Sequence, residues 1–263
     1  MKKIINDPTA VVDEMLDGLA YIHSDLVYRV EGFDIIARKS EKTGKVGLIS
    51  GGGSGHEPSH AGFVGEGMLS AAICGAVFTS PTPDQVLQAI KEADEGAGVF
   101  MVIKNYSGDI MNFEMAQEMA EMEGIEVASV IVDDDIAVED SLYTQGRRGV
   151  AGTILVHKIL GDAARAGKSL TEIKALADEL VKNIHTVGLA LSGATVPEVG
   201  KPGFVLADDE IEFGIGIHGE PGYRKEKMQP SKDLAKELVE KLSQSVELKS
   251  GKKIGILING MGA

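Results

Sequence analysis

The stretch Lys45-Val46-Gly47-Leu48-Ile49-Ser50, followed at once by Gly51-Gly52-Gly53-Ser54-Gly55-His56, decides the fold. Its first half is an apolar run long enough for a buried strand. Its second half predicts a glycine turn, where positive φ and missing Cβ atoms let backbone N–H groups approach a small polar ligand. His56, just past that turn, could exchange a proton with the ligand. Three further apolar runs follow, at 69–78, Gly98–Ile103 and Glu126–Val132. Between them lie helical patterns. Pro83-Asp84 starts one that runs to Asp94 with Val86, Leu87 and Ile90 inward, and Met111, Met115, Met119 and Met122 mark another, ended by Gly124. Continuous apolar strands alternating with helices predict an α/β fold whose first domain has a largely parallel sheet covered by helices. Ligands of such sheets collect beyond the carboxyl ends of the strands, where the loops 51–56, 104–109 and 133–135 all fall.

Working outward, Asp7-Pro8 opens an N-terminal helix with Val11, Val12, Met15, Leu16 and Leu19 on its apolar face. Beyond Ala151 come helical stretches at 151–166 and 170–190. A strand over Glu212–His218, a helix capped by Ser231 and a last strand over Lys253–Asn259 follow. This divides the chain into residues 1–188, with the glycine-rich loop, and a smaller α/β domain, 189–263. The second domain is expected to be incomplete, because the sequence stops on a strand running into Asn259-Gly260-Met261-Gly262. No internal repeat or low-complexity linker is present.

Composition narrows the function. The 263 residues are 43% hydrophobic and 25% charged, ordinary for a globular protein. A net charge of −14 with only short, interrupted basic tracts argues against nucleic acid, whose phosphates need clustered Lys and Arg. No segment approaches the ~20 apolar residues of a membrane span. Cys74 is the only cysteine, so no intrachain disulfide can form and a reducing cytoplasm is expected.

Two nucleotide-like patterns fail on context. Gly214-Ile215-Gly216-Ile217-His218-Gly219 fits a dinucleotide fingerprint, but Glu220-Pro221-Gly222 follows where a helix should start. Gly161 to Ser169 resembles a Walker loop with one residue too many, after a helix instead of a strand. No ATP site is expected. His56 and Asp109 read as an acid/base pair on the rim, with Lys104 able to donate to a ligand oxygen. His218, flanked by Gly216 and Gly219, reads equally as structural or functional. His60 could pair with His56 on a metal, but no clustered ligand supports it, and no metal is expected. His23, His157 and His185 read as structural or surface histidines, Cys74 as inert core, the methionine face as core, and Asp133 to Asp135 as caps of turns.

In order along the chain, the blocks Gly51–His60, Phe78-Thr79-Ser80-Pro81-Thr82-Pro83, Lys104-Asn105-Tyr106-Ser107-Gly108-Asp109, Gly214–Gly222 and Asn259–Gly262 closely resemble the substrate-binding K subunit of dihydroxyacetone kinases. The likeness is to the bacterial type that depends on the phosphotransferase system. It implies that His218 attacks the ketone carbon of dihydroxyacetone and holds it as a hemiaminal, while His56 and Asp109 help deprotonate the terminal hydroxyl. It implies that Gly53 and Lys104, with the neighbouring Ser54 and Gly55, and Ser80 bind the substrate. The donor is then a separate L subunit carrying ADP and Mg, recharged by an M subunit, with no cofactor in this chain. A cytoplasmic homodimer is also implied. The alternative is a non-catalytic paralogue that senses the same ketone as a transcription co-activator.

Overall fold

The computed structural model describes residues 3–39, 42–246 and 248–260. Its main sheet has six strands: β1 (Val27–Arg29), β2 (Ile35–Arg38), β3 (Gly47–Ser54), β4 (Ala71–Val77), β5 (Val99–Lys104) and β6 (Val127–Val132), ordered β1-β2-β4-β3-β5-β6. β4, β3, β5 and β6 pair in parallel, while β1 and β2 add an antiparallel edge. The helices are α1 (Val11–Ile22), α2 (Pro83–Ala93), α3 (Ser107–Met122), α4 (Thr153–Arg165) and α5 (Leu170–Leu180).

Alternation along β5 explains why its sequence is apolar throughout. Val99, Met101 and Ile103 face a layer containing Val86 and Ile90 of α2 and Phe113 and Ala116 of α3. Phe100 and Val102 face Val156 and Leu160 of α4 and Ile173 of α5. Each such side chain, fully buried, contributes about 1.5–3 kcal/mol. α1 lays Leu16 over Val27, Ile36 and Cys74. Local chemistry starts the helices: Thr82 and Gln85 form a capping box before α2, and Ser169 and Glu172 one before α5.

A second sheet, β7 (Leu189–Ala190), β8 (Glu210–Phe213) and β9 (Arg224–Lys227), is antiparallel and is followed by α6 (Ser231–Ser243). The fully buried Arg148 ties it to the main sheet. Its guanidinium pairs with Asp135 at 2.7 Å and donates to Gly214 O at 2.6 Å. Among the described residues, no helix is long and apolar enough to cross a membrane.

The structure corrects several expectations. Gly51 to Ser54 are not a turn: they extend β3 along β4, with Gly51 opposite Ile73 and Gly53 opposite Gly75. The glycines there make room for neighbours, since a Cβ on Gly51 would lie 2.6 Å from Ile73 O and one on Gly53 2.4 Å from Thr79 N. The turn comes at Gly55, with φ +109°. Asp109 lies in the first turn of α3 and not in a loop. Of the methionine face only Met119 packs against the core: Phe113, Ala116 and Ala120 fill that role, and Met111, Met115 and Met122 fall on the exposed side of α3. The helix expected to reach 190 ends at Leu180, before a 3-10 turn over Val181–Asn183. β8 stops at Phe213, because Gly214 at φ +71° turns the chain, and His218 therefore sits in a loop. Residues 253–259 form no strand: they are exposed and, among the described residues, no strand lies alongside to accept their hydrogen bonds. The end of the Asn259–Gly262 block, from Met261, lies outside the described residues.

Candidate active site

Four chain segments converge at the carboxyl ends of β3 and β5. The run out of β3 brings Gly53, Ser54, Gly55 and His56; the continuous stretch from the end of β5 into α3 brings Lys104 and Asp109; the loop after β4 brings Ser80. The fourth segment, the loop after β8, crosses over from the second sheet and places His218 Nε2 3.1 Å from His56 Nε2. Phe78, at φ +54°, stacks on His56 with ring centroids 4.9 Å apart. The rings of Phe78 and Tyr106 meet His218 edge-on at 5.3 and 4.8 Å. His218 is therefore fixed on three sides by rings.

Behind the imidazoles lies a buried charge pair. Lys104 and Asp109 are both buried, and a Cβ on Gly52 would lie 3.1 Å from Lys104 Nζ and 3.5 Å from Asp109 Oδ2. Glycine at 52 leaves that space open. Ser80 Oγ donates to Asp109 Oδ1 at 2.5 Å. Ser54 is turned to structural use, since its hydroxyl donates to Gly75 O at 2.7 Å, and Gly55 N–H donates to the Glu57 carboxylate at 3.1 Å. Gly53 presses against the backbone of Phe78 and Thr79.

Burial, then the Lys104 charge and the neighbouring His218 ring, push His56 down to about 2. At neutral pH its imidazole is uncharged, and the same burial makes it a weak base in the ligand-free protein. Burial lowers Lys104, against the pull of Asp109, Asp134 and Glu220. Burial raises Asp109, against Lys104 and the Ser80 hydrogen bond. Desolvation thus disfavours the charged form of both groups.

Sequence reading missed Glu220, Tyr106, Phe78 and Arg148. Glu220 accepts the His218 backbone N–H at 2.9 Å, and its Oε1 lies 3.1 Å from His218 Nδ1. Burial alone would raise its carboxyl, but hydrogen bonds led by that from the His218 side chain hold it below its ordinary value. A carboxylate two residues after a histidine was the available signal. The other three residues join the site only through the fold.

His60 does not pair with His56. Its Nδ1 lies 3.0 Å from Nε2 of His157, and both rings are buried. Asp134 caps the start of α4, accepting N–H groups of Val150 and Gly152 at 2.8 Å each. Among the described residues, no three His, Cys, Asp or Glu side chains are grouped to hold a metal ion.

Residues 17–263 match the Dak1 domain. The chain is 71% identical over 262 residues to the PTS-dependent dihydroxyacetone kinase, dihydroxyacetone-binding subunit DhaK, of Lactococcus lactis, covering 100% of this chain and 79% of that one. It is 45% identical over 264 residues to the DhaKLM operon coactivator DhaQ of the same organism, covering 99% and 80%. The crystal structure of the native dihydroxyacetone kinase of C. freundii superposes with a TM-score of 0.84 at 38% identity, covering 93% of this chain and 45% of that one.

Proposed function

Because the chain belongs to the Dak1 family, we propose that it is the dihydroxyacetone-binding subunit of a dihydroxyacetone kinase, holding the ketone on His218 while a partner subunit delivers the phosphoryl group. The observation that carries this reading is the 3.1 Å approach of the His218 and His56 Nε2 atoms beside buried Lys104 and Asp109. A bare imidazole nitrogen is a nucleophile toward a carbonyl carbon, so His218 selects short ketones and aldehydes over glycerol, which offers no carbonyl. The captured molecule parts the two rings and leaves its terminal hydroxyl beside His56. That neutral ring takes the hydroxyl proton, with Asp109 behind it, as the oxygen attacks phosphorus. Lys104 offers its N–H groups to substrate or phosphoryl oxygen. Gly53 and Ser80 complete the ketone pocket.

The phosphoryl donor is an L subunit carrying ADP and Mg, recharged by an M subunit of the phosphotransferase system. Such transfer is mostly positioning, which suits a division of labour between subunits. The reading includes a cytoplasmic homodimer, supported by the family likeness and by the single buried Cys74.

The 45% identical coactivator motivates a second reading, a sensor that captures the ketone without transferring phosphate. The presence of both His56 and Asp109 favours the kinase. The test mixes this protein, a charged L subunit and dihydroxyacetone, with a His218→Ala variant in parallel. Product from the wild type and none from the variant is expected. A wild type that makes no product under saturating conditions overturns the kinase reading, and a variant that still captures the ketone overturns the role of His218.

A further inference from the structure

We propose that Glu220 is a positioning residue that keeps the proton of His218 on Nδ1, so that the Nε2 lone pair faces the substrate. The two oxygens of Glu220 meet two nitrogens of one residue, Oε2 at 2.9 Å from the His218 backbone N and Oε1 at 3.1 Å from its Nδ1. The backbone N–H can only donate, and an ionised carboxylate can only accept. Nδ1 must therefore carry hydrogen, which leaves Nε2 of the neutral ring bare.

The loop is built to hold this arrangement. Glu220 is only 2% exposed, and a Cβ on Gly216 would lie 2.1 Å from its Oε2, so the chain closes directly onto the carboxylate. Gly216 N–H donates to Glu220 O at 2.8 Å and Gly219 N–H to Gly216 O at 3.0 Å. Arg148 pins the start of the same loop through Gly214 O at 2.6 Å. With Nε2 of His218 bare, the proton in the 3.1 Å contact belongs to His56 Nε2. That leaves His56 Nδ1 without hydrogen in the free protein, so the proton passes from Nε2 to Nδ1 when the captured ketone parts the rings and Nε2 becomes the base.

The catalytic consequence rests on the ketone-capture reading above; the tautomer assignment does not. In capture, the Nε2 pair forms the C–N bond and the carbonyl π pair moves to oxygen, which takes a proton from solvent. The ring becomes cationic, and the Glu220 carboxylate holds that charge through the Nδ1–H bond. Nothing is oxidised or reduced.

The test is nuclear magnetic resonance of 15N-histidine-labelled protein, with the His218 signals identified by their loss in a His218→Asn variant. The free wild-type protein is expected to show His218 protonated at Nδ1 and bare at Nε2; the reverse tautomer overturns the proposal. In Glu220→Gln a single amide oxygen must choose between two N–H groups, and the backbone amide, which has no alternative, claims it. The amide NH2 then faces Nδ1 and drives the proton to Nε2. Dihydroxyacetone binding by titration calorimetry is expected to weaken about 10–100-fold, by analogy with metal-ligating histidines that lose the partner orienting their other ring nitrogen. A folded variant with the wild-type tautomer and undiminished binding overturns the proposal. If the variant does not fold, the wild-type spectrum decides. A correct tautomer in a protein that never binds dihydroxyacetone would sink the ketone reading and leave this assignment standing.

Discussion

Replacing His157 by glutamine should remove about 2 kcal/mol of acid sensitivity from the fold. His157 is fully buried on α4, with Nε2 3.0 Å from Nδ1 of His60. Burial, with the Lys104 charge behind it, lowers its pKa to about 3. In the unfolded chain the ring titrates near its ordinary value of 6.5. Between those values the unfolded state binds a proton that the folded state refuses, so stability falls as the pH falls through that window. From pH 7 to pH 5 this amounts to about 2 kcal/mol. The figure depends on the unfolded value alone, as long as the folded one stays below about 4. The assay is urea unfolding of wild type and His157→Gln at both pH values. Other titrating groups are common to both proteins and cancel, and glutamine can still hydrogen-bond His60. The wild type should lose about 2 kcal/mol more than the variant, or about 4–8 °C more in melting temperature. Equal losses, within about 0.5 kcal/mol, would mean that the ring is charged or hydrated in the folded state and that the reasoning is wrong.

Two further substitutions probe the site. Gly53→Ala puts a methyl 2.4 Å from the backbone nitrogen of Thr79, which cannot rotate away. It should cost about 1–3 kcal/mol in thermal unfolding, and an unchanged melting temperature would show that β3 is not pressed against the Phe78–Thr79 backbone after β4. His56→Ala should leave dihydroxyacetone binding largely intact while slowing phosphoryl transfer by about 10²-fold or more; an unaltered rate would remove His56 from proton transfer.

Legibility followed the range of the forces involved. β5 could be read because burial on both faces makes its sequence apolar, β6 because its run is apolar and β-branched although Ile131 is exposed, and α2 because Pro83-Asp84 marks its start. The candidate residues Gly53 to His56 and Lys104 to Asp109 could be placed from the sequence at the carboxyl ends of β3 and β5. What failed was pairing. Gly51 to Ser54 look like a turn until β4 is beside them, and 253–259 looks like a strand although nothing described lies beside it. The short edge strands β1 and β2 carry too few residues for a period to stand out. His218 meets His56 across 162 positions of sequence, and His157 meets His60 across 97. Neither separation leaves a local mark. The methionines of α3 misled because the period that places Phe113, Ala116 and Ala120 inward sends Met111 and Met115 outward.

The sole thiol of the chain sits in β4, in the layer under α1, with burial pushing its pKa up to about 12. An alkylating reagent needs a thiolate it can reach, and the native sheet supplies neither. Labelling of Cys74 is therefore a built-in clock for the parting of α1 from the sheet, readable without adding a probe and silent while the protein stays closed.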